Sequence, residues 1–284
     1  MLKRVLTYAA FVRFSHSVFA LPFALTGAML ASRRVPLTIG RVAWIIVAMV
    51  AARSAAMGFN RLVDAHYDAL NPRTAGRELP AGRMSRPEAV VFVAVASVVF
   101  VGAAWALGPL CLVLSPVALA IVFWYSLAKR VTWSTQAFLG LAMAVAPIGG
   151  WLAVGGREGW EPWVLALAIG TWVGGFDVLY ACQDVAFDAA HGLQSIPQRF
   201  GVATSLWISR GLHVVTVIGL ALLDVVAPLG PIYLAGVAGV AALLIVEQSL
   251  VSPTDLSRVT VAFDLNGYVG ILYFITTAVA IYVR

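Results

Sequence analysis

The sequence is poor in charge. Only 11% of its 284 residues are charged and 61% are hydrophobic, whereas a soluble domain carries about a quarter charged residues. Its two cysteines, Cys111 and Cys182, lie in apolar runs, which excludes a disulfide framework and a cysteine metal site. The short alternating segments of an outer-membrane barrel are also missing. What the sequence does contain is a series of apolar runs of about 20 residues, the length of a helix that crosses a bilayer.

Nine such runs predict an all-α polytopic membrane protein with nine transmembrane helices, and we expect residues 1–284 to form a single domain. The basic residues Lys3, Arg4 and Arg13 precede the first run. That run is long enough to span, so we expect an uncleaved segment rather than a signal peptide. The predicted spans are 14–32, 41–63, 88–107, 110–128, 135–154, 161–182, 205–224, 230–249 and 263–283.

The basic residues predict the orientation in the membrane. The net charge of +6 does not indicate nucleic-acid binding, because the basic residues are dispersed among short loops. With a cytoplasmic N-terminus, thirteen of the nineteen Lys and Arg residues lie on the cytoplasmic side, although Arg33 and Arg34 fall on the outer side. The excess of basic residues favours this orientation. We therefore predict an inner-membrane protein whose N-terminus and site loops are cytoplasmic.

Two acidic clusters stand out in this apolar chain. Asn60, Asp64 and Asp68 follow one another at four-residue steps, which place them on one face of a helix. Asp184 and Asp188 repeat the spacing. Both clusters end spans that run in the same direction, so we expect them to face each other across one cavity open to the cytoplasm. The long connections that follow, 64–87 and 183–204, are of the kind that often forms functional lids.

The clusters offer oxygen atoms, which are the ligands of Mg²⁺ in proteins. His66 and His191 lie nearby but singly, and we interpret them as structural or solvated rather than as zinc ligands. The combination of acidic clusters with nearby cations predicts a metal–diphosphate clamp. The alternative is that the cations only set topology, which we prefer for Arg83, Arg86 and Arg258. The predicted metal ligands are Asn60, Asp64, Asp68, Asp184 and Asp188, and the predicted diphosphate-binding residues are Asn60, Arg73, Arg77, Lys129 and Arg130.

Two ionisable residues lie deeper in the predicted spans. Arg53 precedes Asn60 by seven residues, and Asp177 precedes Asp184 by seven, with Tyr180 between them. Ionisable residues inside a membrane usually mark a functional site. Two compatible interpretations follow: Arg53 and Asp177 form a buried ion pair that holds the helices together, and they line a pocket below the diphosphate. The predicted catalytic residues are Asp64, Asp184, Asp177, Tyr180 and Arg53.

Three segments resemble the UbiA superfamily of intramembrane prenyltransferases. Residues 53–82, with Asn60, Asp64 and Asp68, resemble the first Asp-rich motif of that family and the loop behind it. Residues 177–201, with the run Asp-Val-Leu-Tyr-Ala-Cys-Gln-Asp, resemble the second motif, and residues 125–136 resemble the loop between them. One departure is Arg61, because the family often has Asp directly after the Asn.

The resemblance implies a reaction. A polyprenyl diphosphate binds through Mg²⁺ between the two motifs, its tail lies in a groove open to lipid, and the allylic cation alkylates an electron-rich aromatic ring. An apolar cavity keeps water from the cation, and aromatic faces stabilise it. We expect Phe59, Tyr125 and Tyr180 to supply such faces, with Phe123 and Trp124 equally suited to face lipid. The resemblance implies no obligate protein partner.

The sequence is compatible with more than one aromatic acceptor. The segment that begins Ser15-His16 resembles the branch of the family found in organisms that make menaquinone through futalosine, and the family as a whole includes 4-hydroxybenzoate prenyltransferases. The candidates, 4-hydroxybenzoate and 1,4-dihydroxy-6-naphthoate, both carry a carboxylate, which Arg53 or His16 is suited to bind. Other family acceptors are a further alternative. A secondary transporter is the rival function, but transporter sites usually lie at the bilayer midplane rather than at helix ends.

Overall fold

A computed structural model describes residues 2–12 and 20–283, and the described part is almost entirely helical. Short turns connect most of the helices, and a 3-10 turn at Cys182–Asp184 joins α7 to α8. The helices are α1 Leu2–Phe11, α2 Leu21–Ala31, α3 Ile39–Leu70, α4 Arg86–Leu107, α5 Pro109–Ala128, α6 Thr135–Val154, α7 Glu161–Ala181, α8 Val185–Ala190, α9 Ile196–Val226, α10 Pro231–Ser249 and α11 Val259–Tyr282.

The all-α membrane fold predicted from the apolar runs is confirmed. Within the described residues, eight helices are long and apolar enough to cross a membrane, and they correspond to eight of the nine predicted spans. The remaining span, 14–32, begins outside the described residues, and its described part is the eleven-residue helix α2. The predicted break between α4 and α5 is present at Gly108, whose φ of 135° requires glycine.

Polar side chains fix where several helices begin. The hydroxyl of Ser85 accepts a hydrogen bond from the backbone N–H of Glu88 at the start of α4. The Ser195 hydroxyl accepts one from Gln198 at the start of α9, and Thr38 caps α3 in the same way. Each cap satisfies a backbone donor that has no partner inside the helix. The Ser195 hydroxyl also donates to the carboxylate of Asp188 at 3.0 Å.

The long connections predicted at 64–87 and 183–204 are wrong in extent. Helix α3 continues to Leu70 and therefore carries Asp64 and Asp68 within its last turns. In the second connection, α8 forms at Val185–Ala190 and α9 already begins at Ile196. Hydropathy marks where the apolar part of a helix ends, but the helix itself continues as long as its polar residues find partners. Helix α9 contains one break, at Gly201, whose φ is 76°.

Three helices on one side of the bundle pack with their backbones in near contact. A Cβ atom added at Gly150 of α6 would lie 1.8 Å from the carbonyl oxygen of Ala24 in α2, and one at Gly140 would lie 2.3 Å from that of Gly170 in α7. Small residues allow such close approach in membranes. The backbones of α2, α6 and α7 therefore form one closely packed layer.

Arginines at the end of the bundle opposite the acidic clusters are structural. Arg41 donates to the carbonyl of Val154, the last residue of α6, at 2.7 Å, and Arg33 donates to Pro228 beyond the end of α9. Arg34 pairs with Glu161. A cation at a helix C-terminus is favourable because it meets unpaired carbonyls and the negative end of the helix dipole. These contacts account for basic residues on a side where the charge pattern predicts few.

Candidate active site

Asp64 is the most heavily paired residue of the first acidic cluster. It lies on α3 and is only 3% exposed. Its carboxylate accepts from Asn60 at 3.1 Å, lies 3.1 Å from the Lys129 ammonium and accepts from Arg130 at 2.9 Å. The four-residue step from Asn60 to Asp64 and the end of α5 thus bring the predicted ligands and the predicted diphosphate-binding cations into direct contact.

Asp68, one turn further along α3, is bound by the loop that follows. The Nη1 atom of Arg77 donates hydrogen bonds to both carboxylate oxygens of Asp68, at 2.6 and 2.8 Å. The Thr74 hydroxyl donates to the backbone carbonyl of Asp68 at 3.0 Å. The loop after α3 therefore folds back over the end of its own helix and holds Arg77 above the acidic face.

The second cluster is bound by the same loop. Arg73 donates to the Asp184 carboxylate at 2.5 Å and to the Tyr180 hydroxyl at 2.9 Å. Asp188 accepts from Ser195, the cap of α9, at 3.0 Å. Arg73 thus joins the segment behind the first motif to the second motif, so the structure brings the two acidic clusters together at one end of the bundle, called here the acidic end.

Lys129 lies between the two clusters. Besides its ion pair with Asp64, it interacts electrostatically with Asp177 and Asp188. Its backbone carbonyl accepts from Gln194 at 2.7 Å, which attaches the loop between α8 and α9 to the end of α5. The described structure therefore places the cation of the α5 end beside carboxylates of both motifs.

A cavity of about 610 Å³ extends from the acidic end into the bundle. Its polar lining is confined to a few residues, among them Asn60, Arg77 and Asp177, and the rest is mostly apolar. The lining continues as far as Cys111 and Trp163, which lie near the first residues of α5 and α7, at the ends of these helices that are far from the acidic end. The cavity thus combines a short polar end with a long apolar interior, the composition expected for an amphiphilic ligand.

Arg53 and Asp177 both line this cavity. No ion pair joins them in the described structure, so the predicted buried ion pair is wrong, and the pocket-lining interpretation agrees with the geometry. They come from α3 and α7, which contribute separate parts of the wall. The Nε atom of Arg53 is buried and finds no hydrogen-bond partner among the described residues, which leaves a donor for a ligand.

The aromatic residues divide into two groups. Tyr125 and Tyr180 line the cavity, as predicted. Phe59 does not, because its ring packs against Phe123 with centroids 4.6 Å apart, so its predicted place in the cavity is wrong. Trp124 is 42% exposed on the outside of the bundle. The cavity is lined by four further aromatic residues that were not predicted from the sequence, namely Phe100, Trp163, Phe176 and Phe263.

Other polar residues were also missed. Tyr67 lies beneath Lys129 and Arg130, whose charged groups are 6.0 and 5.6 Å from its ring centroid, and its place directly before Asp68 was the available signal. Arg53 and Asp177 are not the only deep ionisable residues, because His213 and Glu247 are buried within α9 and α10. A charged residue within an apolar run was the signal in their case.

The remaining predicted neighbours have local roles. His66 is exposed, and His191 contacts the Phe187 carbonyl at 2.9 Å and stacks on its ring, in agreement with their structural interpretation. Arg199 lies over the ring of Trp133 at 5.8 Å. It belongs to the first turn of α9 rather than to a connecting loop.

Arg61, the departure from the family pattern, serves the N-terminal helix. It is 4% exposed, and its Nε donates at 3.4 Å to the carbonyl of Phe11, the last residue of α1. An arginine at a helix C-terminus meets carbonyls without partners in the helix. Arg61 therefore helps to attach α1 to α3. His16, the other proposed carboxylate partner, lies outside the described residues.

The donor set fits Mg²⁺ in its chemistry, since the acidic end presents carboxylate and amide oxygens and no thiolate. In the described part of the chain, no three acidic, histidine or cysteine residues converge closely enough to form a preformed metal site. Instead Arg73, Arg77 and Lys129 pair with the carboxylates. Arginine and lysine bind phosphate oxygens as well as carboxylates, so a diphosphate that took over these cations would free the carboxylates for a metal.

Several known proteins are similar to this chain in sequence or in fold. A 4-hydroxybenzoate octaprenyltransferase from Cronobacter sakazakii is 33% identical over 245 residues, which are 84% of this chain and 83% of that protein. The corresponding protein of Vibrio campbellii is 31% identical over 228 residues, 80% of each chain. The apo structure of a UbiA homolog from Aeropyrum pernix is 34% identical, has a TM-score of 0.86 and covers 93% of this chain and 98% of its own.

A UbiA homolog from Archaeoglobus fulgidus, bound to DMAPP and Mg²⁺, has the same fold with a TM-score of 0.75. Its sequence is 19% identical, and the match covers 98% of this chain and 100% of that one. The sequence profile of the UbiA prenyltransferase family matches residues 20–276. Taken with two Asp-rich motifs held together at one end of an apolar cavity, these matches show that the chain belongs to the UbiA prenyltransferase family.

Proposed function

We propose that this protein transfers a polyprenyl group from a prenyl diphosphate to an aromatic acceptor, in a reaction that requires Mg²⁺. The observation that carries the proposal is the cavity, which joins the paired carboxylates and cations of the acidic end to a long apolar interior. This arrangement suits a substrate with a diphosphate head and an isoprenoid tail. The full chain acts as one membrane-embedded domain, with the acidic end on the cytoplasmic side of the inner membrane.

The residues of the acidic end divide into two sets. Asp64, Asp68, Asp184 and Asp188, with Asn60, hold Mg²⁺, which supplies positive charge to the leaving diphosphate when it is bound. Arg73, Arg77, Lys129 and Arg130 bind the diphosphate oxygens. Each of Arg73, Arg77 and Lys129 is already 2.5 to 3.1 Å from a carboxylate, so binding of the substrate exchanges one anionic partner for another without an uncompensated charge.

The cavity below the diphosphate carries the carbon chemistry. Cleavage of the C–O bond of the prenyl diphosphate gives an allylic cation, and the apolar lining excludes the water that would trap it. Tyr125 and Tyr180 present aromatic rings to this space and stabilise positive charge. Attack by the acceptor ring releases one proton. Asp177 is the sole carboxylate among the described residues that line the cavity, and it receives this proton.

The acceptor is bound through Arg53, whose buried Nε has an unused donor. A guanidinium pairs well with a carboxylate, and the two candidate acceptors, 4-hydroxybenzoate and 1,4-dihydroxy-6-naphthoate, both have one. The names of the relatives support 4-hydroxybenzoate. We therefore propose 4-hydroxybenzoate as the acceptor, in ubiquinone biosynthesis, with the naphthoate of a menaquinone route as the alternative.

The test is a turnover assay on the purified protein in nanodiscs. The protein is mixed with Mg²⁺, a long-chain prenyl diphosphate and one acceptor, and the product is identified by mass. We expect prenylated 4-hydroxybenzoate. Product with the naphthoate alone would show that the naphthoate, and not 4-hydroxybenzoate, is the acceptor. Release of diphosphate without either product would support the metal–diphosphate clamp but exclude both acceptors. If the protein released no diphosphate at all, the proposed reaction would be wrong.

A further inference from the structure

A buried chain of hydrogen bonds crosses the C-terminal half of the bundle. The carboxylate of Glu247 in α10 accepts from the amide of Asn266 in α11 at 3.0 Å. The Asn266 amide oxygen accepts from the indole N–H of Trp172 in α7 at 2.7 Å. All three side chains are at most 1% exposed. Asn266 uses both ends of its amide, so its orientation is defined by its two partners.

Polar side chains of α9 and α10 lie beside this chain, without a hydrogen bond to Glu247 in the described structure. His213 lies with Nδ1 3.9 Å from the second carboxylate oxygen of Glu247, and Gln248 contacts the same nitrogen at 3.1 Å. Gln248 also donates to the hydroxyl of Ser209 at 2.7 Å. Four helices, α7, α9, α10 and α11, are thus connected through polar side chains in a region that is otherwise apolar.

Such a cluster is costly in a membrane protein. A carboxyl group far from water loses its hydration, and hydrogen bonds from neighbouring side chains replace only part of it. Glu247 Oε2 and His213 Nε2 are buried without a hydrogen-bond partner among the described residues. An apolar set of side chains would pack these helices without that cost. The cluster therefore points to a requirement other than stability.

The Trp172 end of the chain supports a wall of the reaction cavity. The ring of Trp172 meets Phe176 edge-on, with centroids 5.3 Å apart. Phe176 meets Phe263 in the same way at 5.5 Å, and Phe263 contacts Tyr180 at 4.7 Å. Phe176, Phe263 and Tyr180 all line the cavity, as does Asp177 beside them.

The same wall reaches the acidic end. Tyr180 is held by Arg73, which pairs with Asp184. Asn266 also donates to the backbone carbonyl of Phe263 at 3.2 Å. It therefore holds the indole ring of Trp172, which packs against Phe176, and also the turn of α11 that carries Phe263. At the acidic end the aromatic wall is thus held by the hydrogen bond from Arg73 to Tyr180, and at the other end it is held by the buried amide of Asn266.

We propose that Glu247, Asn266 and Trp172 are positioning residues that hold the aromatic wall of Phe176, Phe263 and Tyr180 against the reacting prenyl carbon. This inference rests on the proposed prenyl transfer. The allylic cation has two fates: attack by the acceptor ring, with loss of a ring proton, or attack by water, which gives a prenyl alcohol and a proton. An aromatic wall that is held against the prenyl carbon favours attack by the acceptor ring, because it leaves no space for water beside the cation.

The experiment measures the ratio of prenyl alcohol to prenylated acceptor at a fixed concentration of both substrates. This ratio does not depend on how much of a preparation is folded, so a merely structural role would not change it. The variants are Trp172→Phe, which keeps an aromatic ring but loses the indole N–H, Asn266→Leu, and the pair Glu247→Leu and Glu247→Gln. The matched control is Thr216→Val, which removes a buried hydroxyl that contacts Thr171 across α7 and α9 at 2.9 Å.

We expect Trp172→Phe, Asn266→Leu and Glu247→Leu to raise the ratio at least fivefold. Glu247→Gln retains an oxygen that accepts from Asn266, so its ratio should stay within twofold of the wild type. Thr216→Val should behave as the wild type. The inference is overturned if Trp172→Phe and Glu247→Leu give the ratio of the control while the wild type turns over. If the wild type forms neither product nor alcohol, the proposed function fails and this inference fails with it.

Discussion

Arg73 and Asp184 are 111 positions apart in the chain, yet a guanidinium N–H of Arg73 lies 2.5 Å from the Asp184 carboxylate. This contact joins the loop behind the first Asp-rich motif to the second motif. In the proposed reaction both groups change partner, because Arg73 binds the diphosphate and Asp184 the metal. Asp64, Asp68 and Asp184 each have a cationic partner in this structure, so we expect substrate binding to exchange one ion pair for another.

The first prediction concerns the carboxylates. Asp64→Asn and Asp184→Asn should each lower kcat about a hundredfold or more, because the loss of a metal ligand removes several kcal/mol of stabilisation of the leaving group. The fold should persist, since Lys129 and Arg130 are 30% and 26% exposed and remain accessible to water. Steady-state turnover and thermal unfolding measure the two effects. Asp264→Asn, at an exposed position of α11, is the control, and normal activity in Asp64→Asn would contradict the clamp.

The second prediction concerns Arg73. Arg73→Met should raise the KM for the prenyl diphosphate by about 10- to 100-fold, since a hydrogen bond to a charged group contributes about 1.5–3 kcal/mol. Arg83→Met is the matched control. Arg83 lies in the same loop, but it contacts Gly76 and Glu78 rather than the motifs. Equal KM values in the two variants would show that Arg73 does not bind the diphosphate.

The third prediction concerns the acceptor. Arg53→Leu should raise the KM for 4-hydroxybenzoate at least tenfold and leave the KM for the prenyl diphosphate within about twofold, because Arg53 lines the cavity and has no ion pair with the described carboxylates of the acidic end. An acceptor that lacks the carboxylate separates this role from a general effect, since the variant and the wild type should use it equally poorly. If Arg53→Leu left the acceptor KM and turnover unchanged, the pairing would be refuted.

The fourth prediction concerns stability. A ligand that binds only the folded state stabilises it by about 2.7 kcal/mol at a hundred times its Kd. Mg²⁺ together with a non-hydrolysable prenyl diphosphate should therefore raise the Tm of the wild type, and neither component alone should do so to the same extent. Asp184→Asn should lose most of the shift. A shift with the prenyl diphosphate that is independent of Mg²⁺ would argue against a metal-mediated clamp.

Much of the fold follows from the sequence because membrane-spanning segments are set by local composition. Runs of about 20 apolar residues located eight helices, and even the break at Gly108 was visible from the glycine and the proline that follows it. Four-residue spacing likewise placed Asn60, Asp64 and Asp68 on one face. These features depend on neighbours in the chain, and no knowledge of distant contacts is needed to find them.

The missed features depend on contacts between distant segments. Hydropathy could not show that α3 continues to Leu70, because the partners that stabilise its polar end, Arg77 and Arg130, come from other segments. The direction of a side chain around a helix decided whether Phe59 or Phe176 faced the cavity. The role of Glu247 was likewise hidden, since its partner Asn266 belongs to another helix. A charged residue in an apolar run was the available signal.

The glycine contacts between α2, α6 and α7 have a consequence for how a long substrate enters. Backbones that approach so closely at Gly150 and Gly140 have no side chains between them that could rearrange. We therefore expect the layer of α2, α6 and α7 to stay rigid. We expect the isoprenoid tail of the proposed substrate to pass instead where longer side chains line the cavity, such as Phe100 of α4 and Leu114 of α5. We expect the motions of the catalytic cycle to be concentrated in these helices.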